Sequence, residues 1–427
     1  MTADPALTSS RQAIQRDTVG FDLEDASSLA EALARLLATA PTLLALGEPM
    51  HGGEEFLRLR NRLFQRLVEH HGFRSIVLET SFVRALAVDA FVAGHGGDAY
   101  GPIAEHGFSH GFGTIEANRA LVEWMRAHNG RVAAHERLTF HGYDPPTEAT
   151  GTASPRRTLE PVLDYLAEAD PALSRRHDAA VRERLGEDAA WENPRVIRDR
   201  SLAVGRSPEA SALRLAVEDL LLDLGRFAPK LAEATGARFA QALHLARLTR
   251  SLLGYHAAIA DGCDAAHALG LRDAMGADTM RYVLEREHGR GGVFLFAHNA
   301  HVQRGEVVSS WYRFWPVGAH LASALGSRYL SVGTGVGVSP DNGIGPPEAD
   351  TLEALLIATP GRGHLLSTRA LAGPGDAPLL PVRSGSPRNP SYSPLGSATA
   401  RNFDAVIVLN DATYTRGAAP LRAPAAP

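Results

Sequence analysis

The residues of this chain best suited to catalysis are histidines and carboxylates that follow short apolar runs. Such runs occupy positions 42–47, 75–78 and 293–297, and polar side chains stand at or just after the end of each. Because the carboxyl ends of parallel strands line one crevice of an open α/β sheet, these side chains are expected to meet. Three imidazoles and two carboxylates at one place suit a hydrolytic site. The residues are Glu48, His51, Glu79, His298 and His301.

His51 has the position expected of a general base. It lies directly before Gly52 and Gly53, where a predicted helix begins. The positive end of the helix dipole disfavours a charged imidazole, so the ring is expected to be neutral. A neutral imidazole can accept a proton from water at pH 7 while Glu48 holds the other ring nitrogen. The sequence therefore predicts that His51 activates water.

The helix that follows His51 carries an arginine among its apolar positions. Apolar residues recur there at helical spacing, and Arg60 points in the same direction as Phe56 and Leu67. A buried guanidinium is costly unless it is paired, so a buried carboxylate is expected beside it, with Glu48 and Glu79 as the nearest candidates. The alternative is that Arg60 extends along its stem to the surface.

Two other kinds of site remain open. A metal-dependent hydrolase could use four of these residues as ligands, since imidazole and carboxylate suit zinc or manganese. A tailoring or binding protein of secondary metabolism could use the same cleft without hydrolysis. A serine nucleophile is not expected. The four potential metal ligands are His51, Glu79, His298 and His301.

The composition narrows the class of protein. The chain has 427 residues, a net charge of −5 and no block of lysines and arginines, so nucleic-acid binding is not expected. No apolar stretch is long enough to span a membrane, and residues 1–24 lack the apolar core of a signal peptide. The only cysteine, Cys263, excludes an intrachain disulfide and a multi-cysteine zinc site. We expect a cytoplasmic protein that acts on a small molecule, with no membrane or nucleic-acid partner.

Apolar runs and helical periodicity predict one α/β domain over residues 1–427. The expected fold is a mostly parallel central sheet flanked by helices, with an inserted helical cap at about 155–288. Loops rich in proline, serine and glycine are predicted at 336–348 and 373–399, and disorder is expected from about residue 412. The predicted strands are 42–47, 75–79, 138–142, 293–297, 329–333 and 404–409.

The ordered motifs of the chain resemble the signature of the erythromycin esterase family. The resemblance begins with Gly47-Glu48-Pro49-Met50-His51-Gly52, continues through Leu78-Glu79 and spans about residues 30–340. Further anchors follow in the order Glu123-Trp124-Met125-Arg126, Asn129, Phe140-His141-Gly142-Tyr143-Asp144, Arg272-Asp273, Met275, Ala297-His298-Asn299-Ala300-His301, Gly318 and Leu321.

The resemblance implies a metal-independent or weakly metal-linked esterase in which His51 activates water, with no cofactor. Glu48, Arg60, Glu79, His298 and His301 would line the same site, beneath a helical lid on a large α/β domain. Some members hydrolyse the lactone of macrolide antibiotics, so hydrolysis of an ester or lactone bond is the predicted function. For His106 a solvated loop is the alternative to substrate contact. The predicted substrate contacts are His106, Phe112, Glu116, Tyr143 and Asp144.

Overall fold

The chain is built on an eight-stranded sheet in the computed structural model, which describes residues 5–37, 41–148, 151–309, 313–371 and 380–419. The strands, including two pairs of two-residue strands outside the main sheet, are β1 (Val19–Phe21), β2 (Leu43–Glu48), β3 (Phe73–Ser81), β4 (Thr139–Asp144), β5 (Thr147–Glu148), β6 (Gly151–Thr152), β7 (Gly292–His298), β8 (Val307–Val308), β9 (Arg313–Phe314), β10 (Tyr329–Val338), β11 (Gly363–Ser367) and β12 (Ala405–Asp411).

The helices flank this sheet or lie between its strands in sequence. The α-helices are α1 (Pro5–Asp17), α2 (Ala26–Leu36), α3 (Glu54–His71), α4 (Phe82–Val92), α5 (Gly101–His106), α6 (Glu116–Asn129), α7 (Arg156–Ala169), α8 (Pro171–Leu185), α9 (Asp188–Trp191), α10 (Pro208–Arg226), α11 (Ala228–Thr235), α12 (Ala237–Ala260), α13 (Ala265–Arg286), α14 (Asn299–Val302), α15 (Val317–Leu325), α16 (Leu352–Ile357) and α17 (Ser397–Ala400). Short 3₁₀ turns occupy Phe112–Thr114, Ala134–Glu136, Pro194–Ile197, Arg200–Leu202, Gly326–Arg328, Pro340–Asn342 and Thr368–Leu371.

The sheet is mostly parallel, as predicted. Its order is β1-β11-β12-β10-β2-β7-β3-β4, and the run from β12 to β4 is parallel throughout. Strand β2 is buried along its whole length and β7 almost so, because helices cover both faces. Such strands are near-continuous apolar runs in sequence, which is why all six parallel strands were predicted. The antiparallel edge pairings formed by β1 and β11 were not predicted.

The backbone of the helical stretch between residues 155 and 288 is described throughout and forms no strand. Helices α7, α8, α10 and α12 bury apolar side chains mainly against one another. The second half of α13 belongs to the sheet layer, because Ala277, Met280 and Val283 pack in the same cluster as Leu295 of β7. That the chain is one domain with an inserted cap at about 155–288 stays a prediction. None of the described helices has both the length and the apolar character needed to cross a membrane.

The C-terminal segment is ordered farther than expected. Residues 412–419 pack against the start of α3 instead of being disordered. The backbone N–H of Thr413 donates to Oε2 of Glu55 over 2.6 Å, and that of Arg416 donates to Oε2 of Glu54 over 3.1 Å. Disorder was predicted here from composition alone, and composition does not show that carboxylates in the first turn of α3 accept hydrogen bonds from this segment. Residues 420–427 lie outside the described part of the chain.

The two predicted loops are only partly irregular. Strand β10 continues to Val338, inside the first predicted loop, and a 3₁₀ turn follows at Pro340–Asn342. Of the second predicted loop, residues 373–379 lie outside the described part of the chain, and residues 380–396 form neither helix nor strand. This second segment passes close to the end of β2, where it contributes to the site described next.

Candidate active site

Three neighbouring strands end at the candidate active site. In the order β2, β7, β3, their carboxyl ends place Glu48, His298 and Glu79 side by side, and Glu48 pairs in register with His298. The turn after β2 presents His51, and the short helix α14 presents His301. The structure thus brings together the five side chains that the apolar runs singled out.

His51 is held from two directions. Its Nδ1 lies 2.7 Å from Oε1 of Glu48 at the end of β2. Its backbone N–H donates to Oγ of Ser391 over 3.0 Å, and its carbonyl oxygen accepts from Nδ2 of Asn389 at 2.8 Å. Nε2 makes no hydrogen bond with the described residues. Since the side chain is 34% exposed, this nitrogen is the one available to a molecule in the cleft.

The charge state of His51 differs from the neutral ring that the sequence predicted. Burial opposes protonation, but the hydrogen bond and charge of Glu48, with a further contribution from Glu79, raise the pKa of His51 to about 9. A carboxylate in contact with the ring outweighs the partial charge at the start of α3. His51 is therefore mostly an imidazolium at neutral pH in the unliganded protein, and its basic form increases as the pH rises.

Glu79 is the central hydrogen-bond acceptor of the site. Its Oε1 accepts from Nη2 of Arg272 at 3.1 Å and lies 3.4 Å from Nε2 of His301. Its Oε2 accepts from the backbone N–H of His298 at 2.8 Å. Burial favours the neutral acid, but the positive charges of His301, His51 and Arg272 hold the pKa of Glu79 well below its usual range. Glu79 is thus a carboxylate that joins β3 to β7 and α13.

Both ring nitrogens of His298 form hydrogen bonds with backbone groups. Nε2 lies 2.8 Å from the carbonyl oxygen of Ser391, and Nδ1 accepts from the N–H of Ala300 at 3.1 Å. This pattern requires the neutral tautomer with its proton on Nε2. Burial, with the charge of His51, lowers the pKa of His298 to about 4. His298 therefore fastens the 380–396 segment to β7, and its ring has no nitrogen left for a ligand.

His301 has the opposite charge preference. Burial opposes its protonation, but Asp273, whose Oδ1 lies 2.8 Å from Nδ1, and Glu79 raise the pKa of His301. The same Oδ1 of Asp273 accepts from the backbone N–H of Val317, which fixes the carboxylate against α15. The two carboxylates thus favour the charged form of His301 beside Glu79.

Two adjacent residues of α13, Arg272 and Asp273, complete the site, although the sequence did not assign them to it. Nε and Nη2 of Arg272 donate to the two carboxylate oxygens of Asp144 over 3.0 and 2.6 Å. In the sequence, this pair could be noticed only because it is one of the motifs that resemble the erythromycin esterase family. Asn389 and Ser391 had no such signal, because they stand in a loop with no regular spacing from His51.

Arg60 is buried as predicted, but no carboxylate pairs with it among the described residues. Its guanidinium donates to the side-chain oxygens of Asn61 and Asn118 and to the carbonyl of Ala117. Its charged end lies 5.0 Å from the ring centre of Phe296. The expectation failed because amide oxygens satisfy a guanidinium without a second buried charge. Arg60 lines a small cavity of about 30 Å³ behind His51, not the main cleft.

The cleft has two lobes that meet at His51. One lobe, of about 480 Å³, lies toward the helical stretch and is lined by apolar side chains such as Trp191, Val204 and Ile259. We call it the cap lobe. The other, of about 610 Å³, is lined partly by the 380–396 segment and by polar groups such as Gln303; we call it the loop lobe. The side chains that line both lobes are His51, Glu79, Leu269 and Arg272.

The predicted substrate contacts fall in different places. Phe112 lines the cap lobe, with its ring 5.5 Å from the imidazole of His51. Asp144 and Tyr143 are buried, the first against Arg272 and the second in the apolar cluster between β4 and α13. At the surface, Glu116 begins α6, and His106 lines a separate groove of about 670 Å³. Of the five, Phe112 is positioned to touch a molecule in the cleft.

Although no serine nucleophile was expected, one pentapeptide, Gly107-Phe108-Ser109-His110-Gly111, fits the Gly-x-Ser-x-Gly pattern of such a nucleophile. It follows α5 and not a strand, so the strand–turn–helix context of a nucleophile elbow is missing. Ser109 is 2% exposed, and its Oγ accepts from the backbone N–H of Ser81 at 2.9 Å. The serine is a structural link to the end of β3.

The proposed metal ligands do not converge on a common point. In the described part of the chain, no group of three or more histidine, cysteine, aspartate or glutamate side chains has the arrangement of a metal site. His298 has both nitrogens bonded to the backbone, and Nδ1 of His51 faces Glu48. The donor set as it stands does not fit a shared ion.

Comparison with known proteins places this geometry in context. Residues 68–412 match the sequence model of the family described as erythromycin esterase. Among curated proteins, "Erythromycin esterase type II" of Escherichia coli is 26% identical over 298 residues, which is 68% of each chain. The family match continues past residue 345, beyond the span in which motifs resembled the family, and so includes the 380–396 segment.

Solved structures share the fold across nearly the whole chain. A Bacillus cereus protein has a TM-score of 0.74 at 16% identity, covering 98% of this chain and 99% of its own. A protein described as a succinoglycan biosynthesis protein has a TM-score of 0.73 at 16% identity, covering 97% and 99%. A mutant of the erythromycin esterase EreC in its open conformation has a TM-score of 0.69 at 19% identity, covering 92% and 98%. At these identities the matches establish the fold alone.

Proposed function

The chain belongs to the erythromycin esterase family, and on that premise we propose that it hydrolyses an ester or lactone bond with water activated by His51. The observation that carries the proposal is the Glu48–His51 pair at the junction of the two lobes. Glu48 fixes Nδ1 at 2.7 Å, so Nε2 is the nitrogen that can take a proton from water in the cleft. A carboxylate that orients an imidazole and stabilises its charged form is a common arrangement for a general base.

The charge on His51 determines when it can act. With a pKa of about 9, the ring is a strong base once deprotonated. Roughly 1% of it is in that form at pH 7 by the titration relation. Water attack is therefore expected to accelerate as the pH rises toward the pKa.

The two lobes favour a large substrate with groups on both sides of the bond that is cut. Together they offer a mostly apolar space and a more polar one, with His51 between them. Such volumes are typical of sites for drug-sized molecules. Because the curated relative is named an erythromycin esterase, a macrolide lactone is the first substrate to test.

The test is hydrolysis by the purified protein of a macrolide lactone and then of simpler esters, with and without chelator, followed by mass spectrometry of product and protein. We expect addition of one water to the substrate, persistence of activity with chelator and no acylated protein. Loss on chelation with recovery on adding zinc or manganese would indicate the metal-dependent hydrolase. An acyl adduct on the protein would indicate a covalent mechanism. Binding without any hydrolysis would favour the tailoring or binding role.

A further inference from the structure

Arg272 has more donor capacity than its protein partners use. Its five N–H groups are divided among Nε, Nη1 and Nη2. Nε donates to Asp144, and Nη2 donates to Asp144 and Glu79, which occupies three of the five. The remaining two belong to Nη1, whose only partner among the described residues is Nε2 of His301 at 3.3 Å.

Whether Nε2 of His301 can accept a hydrogen bond from Nη1 depends on the charge of His301. When His301 is an imidazolium, Nε2 carries a proton and cannot accept. The proton then points toward Oε1 of Glu79, 3.4 Å away. Asp273 and Glu79 both favour this charged form. Nη1 of Arg272 is then left with two N–H groups and no acceptor in the described part of the chain.

The side chain of Arg272 borders the space where a reacting group would sit. Arg272 lines both lobes together with His51, and its side chain is 18% exposed. The salt bridges to Asp144 and Glu79 hold the guanidinium rigidly, so it needs little reorganisation during a reaction. Hydrolysis of an ester generates a negative oxygen that requires such a donor. His298 cannot supply it, because both of its ring nitrogens are bonded to the backbone.

We propose that Arg272 is a catalytic residue whose Nη1 donates to the carbonyl oxygen of the ester and stabilises the oxyanion of the tetrahedral intermediate. This inference rests on the proposed hydrolysis. His51 takes one proton from water as the water oxygen bonds to the carbonyl carbon, and the carbonyl π pair moves to the oxygen held by Arg272. When that pair returns, the bond to the alkoxy oxygen breaks and the proton on His51 passes to the leaving alcohol. The new carboxylic acid then loses its proton to solvent.

The test compares an oxoester with the thionoester of the same structure, in which sulfur replaces the carbonyl oxygen. Sulfur accepts hydrogen bonds poorly, so an enzyme that uses a donor at this atom favours the oxoester more than uncatalysed hydrolysis does. We expect a large oxoester-to-thionoester ratio of kcat/KM for the wild type. In Arg272→Gln the oxoester rate should fall by about 10²–10³-fold, the range for loss of one oxyanion donor. The thionoester rate should fall much less.

Asp144→Asn is the matched control. It weakens the support of Arg272 but keeps the donor, so it should lower rates for both substrates and retain a high ratio. If Arg272→Gln does not fold, Arg272→Lys, which keeps a cationic donor, should give an intermediate ratio. A wild-type ratio equal to that of uncatalysed hydrolysis, or a ratio unchanged in Arg272→Gln, would overturn the role of Arg272 while leaving hydrolysis by His51 intact. Failure of the wild type to hydrolyse any ester would instead remove the proposed function.

Discussion

Glu48 sets the protonation state of His51, because it is the carboxylate in direct contact with the ring. The sequence revealed both residues and their spacing, but it suggested the wrong charge. Helix dipoles can be anticipated from sequence, whereas the 2.7 Å contact depends on how the turn after β2 closes. A contact between full charges at that distance dominates a partial charge.

Removing the charge of Glu48 should move the acid limb of the rate profile. In Glu48→Gln the burial that opposes protonation remains, while the main contribution that raises the pKa of His51 is gone. We expect the midpoint of the acid limb of kcat/KM to fall from about 9 in the wild type toward lower pH, with a lower plateau because a neutral amide stabilises the imidazolium less. The measurement is kcat/KM against pH for both proteins. An unmoved midpoint would mean that another group titrates.

Arg60 should matter for stability because, among the described residues, it is the only donor to the side-chain oxygens of Asn61 and Asn118. Arg60→Ala leaves the oxygens of Asn61 and Asn118 without that hydrogen bond and opens a cavity beside Phe296. Unsatisfied groups of this kind cost about 1–3 kcal/mol each, so a loss of about 3–5 kcal/mol is expected. Urea unfolding measures it.

The matched control for Arg60 lies on the same helix. Arg58 pairs with Glu24 at the surface, where its side chain is 45% exposed. Arg58→Ala should change the free energy of unfolding by less than about 1 kcal/mol. Equal losses for the two variants would contradict the burial argument.

Among the elements of the fold, the 380–396 segment is the one whose role was hardest to predict from the sequence. It has no helix or strand, yet it bonds to His51 through Ser391 and Asn389 and to His298 through the Ser391 carbonyl. The parallel strands could be predicted because burial on both faces leaves a continuous apolar run. A segment held by isolated polar contacts leaves no periodic pattern, so its role could not be predicted.

Ser391→Ala should reduce turnover with little loss of stability. The hydroxyl accepts the backbone N–H of His51 and donates to Asn389, so its removal loosens the turn that aims Nε2. A loss of about 10-fold or more in kcat is expected for misplacement of a general base. Ser393→Ala is the control, because that hydroxyl makes no hydrogen bond with the described residues. Steady-state kinetics and melting temperature measure the effects, and equal kcat for the two variants would rule out this role for Ser391.

At the scale of the whole molecule, a buried titratable residue of the site makes the stability of the fold depend on pH. His298 has a pKa of about 4 in the folded protein against 6.5 for an ordinary histidine. Between these two pH values the unfolded chain binds a proton at His298 and the folded protein does not. The free energy of unfolding therefore decreases as the pH falls through this range. The α/β class and the helical stretch followed from patterns along the chain, but this coupling depends on which side chains meet across the sheet.

The contribution of His298 can be isolated by substitution. Between pH 6.5 and 4, His298 should account for a loss on the order of 3 kcal/mol in the free energy of unfolding. His298→Gln cannot titrate and should flatten that part of the curve, whereas His70→Gln, at an exposed position on α3, should not. Urea unfolding at several pH values measures the slopes. Parallel curves for the wild type and His298→Gln would contradict a neutral, buried His298.

The claim that His51 activates water is tested most directly by single-turnover hydrolysis of one ester by the wild type and by His51→Asn, at a pH near 9 where the base form is well populated. We predict a rate about 10²–10⁴-fold lower for His51→Asn, the usual contribution of a general base, with an unchanged melting temperature. A folded His51→Asn protein that hydrolyses the ester within about threefold of the wild-type rate would contradict the claim, because a missing base cannot leave the chemical step intact.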